Sequence, residues 1–301
     1  MRQMKYFDHK NDRPLDPTRD GCALADWEQL YGKAPFAIHP FGFPVFLSPK
    51  EIHTSDEYAT ADPYTVEQNI NNEFHNRRIT VTLALVKQAL GMTHAMPKIL
   101  DLGCGQGHIT GIIRNELPDA EISDLDYSLS AIEYAQKHFH NIDFAVGNAL
   151  ESPYANNYFD LVICNNLWEH VPDPLALLRV IDSMLKYNGF LIISTPSRYR
   201  FSNLVRVIRG KSTVLLSKYH VTEYTVGQVV EQLQYGGFKT LKVTSKPLKT
   251  HKILTALIQG LLSMWIALVG SRHQLESTVF FLAQKSADIT GSNKEATGVA
   301  T

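Results

Sequence analysis

Between Lys98 and Ser194, short apolar runs alternate with segments whose apolar residues recur at helical spacing. Lys98–Leu102, Glu121–Asp126, Ile142–Val146, Asp160–Cys164 and Phe190–Ser194 read as strands. His108–Leu117, Ser130–His138 and Pro174–Leu185 read as the helices between them. Continuous apolar strands separated by helices predict an α/β protein with a parallel sheet covered on both faces. After Pro196 the rhythm breaks, then resumes with a helix at Thr225–Tyr235 and strands at Phe238–Thr244 and Thr278–Ala283.

Upstream the pattern differs. Residues 1–65 are predicted to form an irregular arm, because Pro14, Pro17, Pro35, Pro40, Pro44, Pro49 and Pro63 punctuate it. The aromatics in Phe41-Gly42-Phe43-Pro44-Val45-Phe46 suggest that part of the arm packs on something instead of floating free. Ile70, Phe74, Ile79, Leu83, Val86 and Leu90 then predict a helix over Val66–Leu90. A main domain of residues 66–285 follows, with insertions at about 197–220 and 246–272. The small, polar tail 286–301 is expected to be disordered.

The candidate chemistry starts at Asp101-Leu102-Gly103-Cys104-Gly105-Gln106-Gly107, directly after a strand and before a helix. Glycines there let the backbone turn sharply and approach a ligand beside the positive end of a helix. A dinucleotide site carries GxGxxG, with the third glycine packing the helix on the sheet. Here the spacing is GxGxG, and His108 takes the place of that third glycine. An imidazole would crowd a pyrophosphate, which argues against an NAD-dependent dehydrogenase and for a cofactor without phosphate, S-adenosylmethionine. Asp126 ends the next strand, where a carboxylate can accept both ribose hydroxyls, and Tyr127 is placed to lie against adenine. The competing reading of Asp126 is a helix cap ahead of Ser130.

Composition narrows the class further. Of 301 residues, 44% are hydrophobic and 20% charged, as in a globular chain with a substantial core. The formal net charge of −1 gives no bulk attraction to nucleic acid, and no nucleic-acid partner is expected. Cys22, Cys104 and Cys164 are far apart and form no CxxC pair, so neither a disulfide framework nor a zinc site is indicated. The N-terminus shows no apolar signal-peptide run. A reducing cytoplasm is the expected setting.

The chain from about Lys98 to Gln284 resembles the class I S-adenosylmethionine-dependent methyltransferases, particularly the ubiquinone-biosynthesis O-methyltransferase type. The resemblance rests on Ile99–Gly107, Asp126-Tyr127-Ser128, Gly147-Asn148-Ala149 and Phe159-Asp160-Leu161-Val162. It continues through Leu167-Trp168-Glu169-His170-Val171-Pro172-Asp173-Pro174, Leu185–Phe190, Ser194-Thr195-Pro196 and His220-Val221-Thr222-Glu223-Tyr224. It implies a Rossmann-like, doubly wound sheet of seven strands, mainly parallel with one reversed, plus an N-terminal extension and inserted helices. It implies that Asp101, Gly103, Cys104, Gly105 and Gly107 form the cofactor loop, with Gly103 and Gly105 beneath the methionine part. Asp126 and Tyr127 would take the ribose and adenine, and Asn165 would lie near the sulfonium. Asn148, beside Ala149, stands where the family usually has Asp, and keeps one acceptor for the adenine amine. Arg77 or Arg78 would match an arginine that pairs with the methionine carboxylate.

Two histidines are candidate catalytic groups. Glu169-His170 follows the fourth strand at the edge where open α/β sheets bind ligands, so His170 could act as general base with Glu169 orienting it. The simpler reading is that the pair braces its loop. His220, after the first insertion, is the rival base. Methyl transfer is an in-line displacement at an already activated carbon, so alignment supplies most of the acceleration and neither metal nor covalent nucleophile is required.

The insertions carry their own signal. Arg198, Arg200, Arg206, Arg209, Lys211 and Lys218 are interleaved with Phe201, Leu204, Val205, Val207, Ile208, Val214, Leu215 and Leu216, with no acid among them. This reads as a membrane-surface element or as a substrate lid with a solvated basic face. Ile253–Val269 has no charged residue, yet a single crossing would separate strands that belong to one sheet. The segment is therefore expected either to be buried against the domain or to lie in a membrane interface, flanked by Lys246, Lys249, Lys252 and Arg272. The expected function is O-methylation of a small or lipid-like acceptor, with an anionic membrane surface, such as the inner face of a membrane, as a second partner. C- or N-methylation on the same fold and a non-catalytic, membrane-docking cofactor-binding protein are the alternatives.

Overall fold

The computed structural model describes residues 4–54, 73–91, 96–246 and 253–286. The arm holds β1 (Tyr6–Asp8), β2 (Arg13–Leu15), β3 (Cys22–Ala23), α1 (Trp27–Leu30), β4 (Ala37–Ile38), β5 (Pro44–Val45) and α2 (Pro49–Thr54). Then come α3 (Glu73–Leu90), β6 (Lys98–Leu102), α4 (His108–Glu116), β7 (Glu121–Asp126), α5 (Leu129–His138), β8 (Asp143–Val146) and β9 (Phe159–Asn165). The chain continues with α6 (Pro174–Met184), β10 (Leu185–Pro196), α7 (Phe201–Ile208), α8 (Val226–Tyr235), β11 (Phe238–Thr244), α9 (Ile253–Leu268) and β12 (Thr278–Lys285). The expected helical turns before Glu73, the tail beyond Ser286, and Lys249 and Lys252 lie outside the described residues.

The strands alternate their side chains between two cores. Leu100, Leu102, Val162, Cys164, Leu191 and Ile193 join one buried cluster, while Ile99, Leu161, Ile163, Phe190 and Ile192 join the other. A strand buried on both faces must read as a continuous apolar run, which is why these segments were legible as parallel strands. Leu177, Leu178 and Ile181 of α6 and Val229 and Leu233 of α8 cover the first face. Leu85 and Val86 of α3, Ile113 of α4 and Ile132 of α5 cover the second. The helices start where their caps dictate. Ser128 caps α5, Asp173 with Pro174 in the first turn starts α6, and Thr225 and Gln228 form a capping box on α8.

The strand order is β11-β12-β10-β9-β6-β7-β8-β5-β4-β3. From β11 to β8 this is the expected seven-stranded arrangement, with β12 antiparallel to both β10 and β11 and the rest parallel. The arm departs from the sequence expectation by extending the sheet past β8. β5 joins β8 through the pair Val45↔Val146, and β4 and β3 follow. These strands are two residues each, and Pro44 within β5 does not prevent its pairing. β10 begins at Leu185 instead of Phe190, because Leu185 pairs with Phe159 ahead of a register irregularity.

The first insertion also differs from expectation. Only Phe201–Ile208 of the basic segment is helical. Arg200, counted with its exposed basic face, is buried in an ion pair with Glu223. No helix among the described residues is long and apolar enough to cross a membrane. The long apolar segment is not buried against the domain. Along α9 the half-buried positions are Thr255, Gln259 and Ile266, while Leu257, Leu261, Met264, Trp265 and Leu268 are exposed. A helix packed on a soluble domain shows the reverse pattern.

Candidate functional site

The carboxyl ends of β6 and β7 set the glycine loop. Gly103 N and Cys104 N both donate to Leu125 O, at 2.8 and 3.3 Å, tying the loop to the neighbouring strand. Gly103 has φ +81°, and a Cβ there would meet the Leu167 side chain at 3.3 Å. Gly107 has φ +73° at the start of α4, with Ala135 3.2 Å from the position of its missing Cβ. A side chain at either position meets both backbone strain and packing.

Asp126 acts within this loop. Its Oδ2 accepts from Gly105 N at 2.7 Å and its Oδ1 from Ser128 N at 2.9 Å. The helix-cap role that competed for Asp126 belongs to Ser128, whose Oγ accepts from Ala131 N. Tyr127 is half-buried, and its hydroxyl donates to Glu51 Oε1 at 3.3 Å. Glu51 sits on α2, where Ser48 and Glu51 bond reciprocally. The Ser48-Pro49-Lys50-Glu51 spacing, a capping box with proline in the first turn, is the sequence signal that could have found it. Hydrogen bonds from Ser48 hold the Glu51 carboxyl below its usual range, against the effect of burial.

Asp101 Oδ1, Asp124 Oδ1, Asn165 Oδ1 and Glu169 Oε2 are buried and accept no hydrogen bond among the described residues. Burial pushes the Asp101 carboxyl up to about 7, with Arg78 opposing and Asp126 adding to the rise. The charge of Arg78, one of the two candidate arginines, acts on Asp101. Asn165 closes β9 and donates from Nδ2 to Thr82 Oγ1 of α3 at 3.1 Å, a partner the sequence did not indicate. Burial leaves such acceptors short of donors, and a ligand carrying an ammonium and a sulfonium would meet that need.

The loop cysteine is half-buried. Burial and the neighbouring Asp124 push the Cys104 thiol well above its usual value. Asp124 is itself buried, its carboxyl raised by burial and by Asp101, and it accepts from Thr110 Oγ1 at 2.6 Å. At the end of β8, Asn148 is half-buried and its Oδ1 caps Leu150 N at 2.9 Å, which leaves a lone pair on that oxygen and the amide NH2. Ala149 beside it is half-buried.

The structure brings the two candidate histidines together. His170 and His220 lie with ring centroids 5.1 Å apart and planes at 86°. Glu169 is buried, accepts from Asn166 Nδ2 at 3.0 Å, and its main-chain oxygen accepts from Val221 N and Thr222 N. Glu169 therefore ties its loop to Asn166 and pins the return of the first insertion. His220 Nδ1 lies 2.9 Å from Glu223 Oε1, while Glu223 also accepts from Arg200 and Leu216 N. These contacts hold the Glu223 carboxyl below its usual range despite burial.

A family model described as a methyltransferase domain matches residues 94–246, just over half of the chain. The chain belongs to this methyltransferase family. It is a transferase that takes its methyl group from S-adenosylmethionine. The chain is 35% identical to a malonyl-[acyl-carrier protein] O-methyltransferase of Acetivibrio thermocellus over 108 residues, 35% of this chain and 38% of that protein. It is 29% identical to a ubiquinone biosynthesis O-methyltransferase of Histophilus somni over 184 residues, 56% of this chain and 72% of that one. Among solved structures, the plantazolicin methyltransferase BpumL in complex with a pentazolic desmethylPZN analog and SAH superposes with a TM-score of 0.52. It shares 18% identity with the chain, and the match covers 76% of this chain and 93% of that one. At that identity the likeness speaks to the fold.

Proposed function

We propose that the chain O-methylates a small, lipid-like acceptor that it takes from a membrane surface. S-adenosylmethionine supplies a methyl carbon already activated by its sulfonium. Asp101 faces the ammonium of the methionine part, over the backbone of Gly103, Cys104 and Gly105. Asp126 accepts from the ribose, Tyr127 lies against the adenine, and Asn148 and Ala149 line its far edge. Asn165 lies beside the sulfonium. These residues align the donor, and alignment is the larger part of the acceleration.

The observation that carries the acceptor class is the reversed pattern of α9, with polar Thr255 and Gln259 inward and apolar side chains outward. Both insertions spring from the ligand edge of the sheet. Phe201 N, at the start of α7, donates to Leu275 O just before β12, at 2.7 Å, and Ser197 N donates to Ser277 O at 2.9 Å. A lipid contact made there would open the acceptor side of the site toward the bilayer. Exposed Ile208 and Val207 beside Arg209 and Lys211, and Lys246 and Arg272 flanking α9, suit an anionic surface.

The test is transfer from methyl-labelled S-adenosylmethionine to organic and aqueous extracts of cells. Label in the organic extract, in a product that ether or ester cleavage releases, supports the reading. Label confined to the aqueous extract, or fixed on carbon or nitrogen, contradicts it.

A further inference from the structure

The arm reaches the cofactor edge along β8. Phe46 N donates to Val146 O at 2.8 Å, one residue past the Val45↔Val146 pair, so the arm follows β8 to its carboxyl end. There Gly147 N donates to Asp126 O at 2.9 Å, and a Cβ on Gly147 would meet the Phe46 Cβ at 3.7 Å. The path is anchored on both sides of this point. Leu47 is buried, and its carbonyl accepts from the Trp27 indole at 2.8 Å. His39 Nε2 lies 3.0 Å from Glu133 Oε1 on α5. Ser48 and the short helix α2 follow, and they carry Glu51 to Tyr127.

We propose that Glu51 is a positioning residue for the cofactor: from the arm, it fixes the Tyr127 ring in the orientation that receives adenine. This role rests on the proposed reading of Tyr127 as the residue against the adenine. The two oxygens of Glu51 divide the work. Oε2 accepts from Ser48 N and Ser48 Oγ, at 2.8 and 2.6 Å, and Oε1 accepts from the Tyr127 hydroxyl at 3.3 Å. The reciprocal bonds with Ser48 keep the carboxylate in one place, so the phenol meets its partner at a fixed point.

Packing and the hydrogen bond act on different parts of the same side chain. Tyr127 and Ile52 both pack on the buried cluster that contains Leu47, Val146 and Ile132. The body of the ring is held by these contacts, and its polar tip by Glu51. A half-buried tyrosine with a free tip would sample other orientations, and the ligand would have to select one of them. Ordering the ring before the ligand arrives removes that cost from binding. The donor half of the site thus depends on a residue of the arm.

The experiment is a double-mutant cycle on the full-length chain, with S-adenosylmethionine and adenosine each titrated by calorimetry. Tyr127→Phe keeps the ring, removes the hydroxyl, and leaves Ser48, Glu51 and α2 as they are. Glu51→Ala removes the partner from the other side. Each is expected to weaken both ligands by about two- to tenfold, the worth of one ordinary hydrogen bond, because 3.3 Å is long for a charged pair. The double variant should bind no more weakly than the weaker single one, since both changes break the same bond. Glu51→Gln should bind nearly as wild type does, because its amide oxygen can serve Ser48 N while its NH2 reaches the Tyr127 hydroxyl. If Glu51 only holds α2, Glu51→Ala lowers the melting temperature while Tyr127→Phe keeps wild-type affinity, and the positioning role is overturned. Losses that add in the double variant overturn it as well. Tyr127→Ala separates the two layers. If it weakens S-adenosylmethionine while Glu51→Ala does not, the adenine reading stands and the Glu51 role falls. If Tyr127→Ala binds as wild type does, Tyr127 does not face the adenine, and both fall.

Discussion

The carboxyl ends of β6, β7 and β8 and those of β10 and β11 lie on one edge of one sheet, and they are built in opposite ways. On the β6–β8 side the loops are short and polar, and are tied to neighbouring strands by backbone hydrogen bonds. The carboxylates of Asp101 and Asp124 are buried there. On the β10–β11 side the chain departs in two long insertions whose apolar side chains point outward. One half is fixed by geometry before any ligand arrives. The other exposes surface that water does not favour. The difference suggests that the donor half is preorganised, and that the acceptor half is completed by what it touches.

The sharpest way to break the donor half is Gly105→Val. At φ +56° a branched residue is strained, and its side chain would enter the space proposed for the methionine part. S-adenosylmethionine binding should fall below detection by calorimetry. Asp126→Ala should come next, because it removes both the ribose acceptor and the carboxylate that receives Gly105 N. A lost charged hydrogen bond is worth about 1.5–3 kcal/mol, so affinity should drop tenfold or more. Wild-type affinity in folded Asp126→Ala would show that Asp126 serves the loop alone.

A smaller effect tests the electrostatics of the same half. The Asp101 carboxyl is raised from 3.8 to about 7 in the folded chain. A raised acid favours the folded state most below pH 4, and that advantage is lost as pH climbs toward 7. Asp101→Asn does not ionise, so its melting temperature without ligand should rise relative to wild type between pH 4 and 7. The gain is a few kcal/mol at most, since one pKa unit is about 1.4 kcal/mol. A constant difference across that range would mean that Asp101 is not strained by burial. The mildest change is Asn148→Asp. It can still cap Leu150 N and restores a carboxylate toward an exocyclic amine. S-adenosylmethionine affinity should hold or improve by a few-fold, and a large loss would place Asn148 away from the adenine.

How much could be read from sequence follows the same division. β6, β7 and β11 were legible nearly to the residue, because Ile99, Leu100 and Leu102 mark β6 and turn residues bracket β7 and β11. The glycine loop and Asp126 were legible because they stand at fixed places relative to those strands. The arm was harder to read. Two-residue strands leave no period, so the Val45↔Val146 pairing and the reach of Glu51 to Tyr127 were invisible. Long-range polar pairs such as Asn165 with Thr82 leave no local trace at all. Arg200 misled by composition, since a basic run looks solvated until its buried partner Glu223 is placed. For α9 the apolar character was plain, but periodicity cannot say which way an all-apolar helix turns. Exposure settled that point.

The separability of the two halves is tested by vesicle co-sedimentation with anionic liposomes at low and high salt. Wild-type protein should sediment, with a salt-sensitive part from Arg206, Arg209 and Lys211 worth about 1 kcal/mol per charge near the surface. A salt-resistant part should come from α9, at roughly 25 cal/mol per Å² of apolar surface removed from water. Leu261→Ser with Trp265→Ser should abolish the salt-resistant part and leave S-adenosylmethionine affinity unchanged. Wild-type protein that stays in the supernatant with vesicles of every composition, or a double variant that binds as wild type does, would contradict that separability.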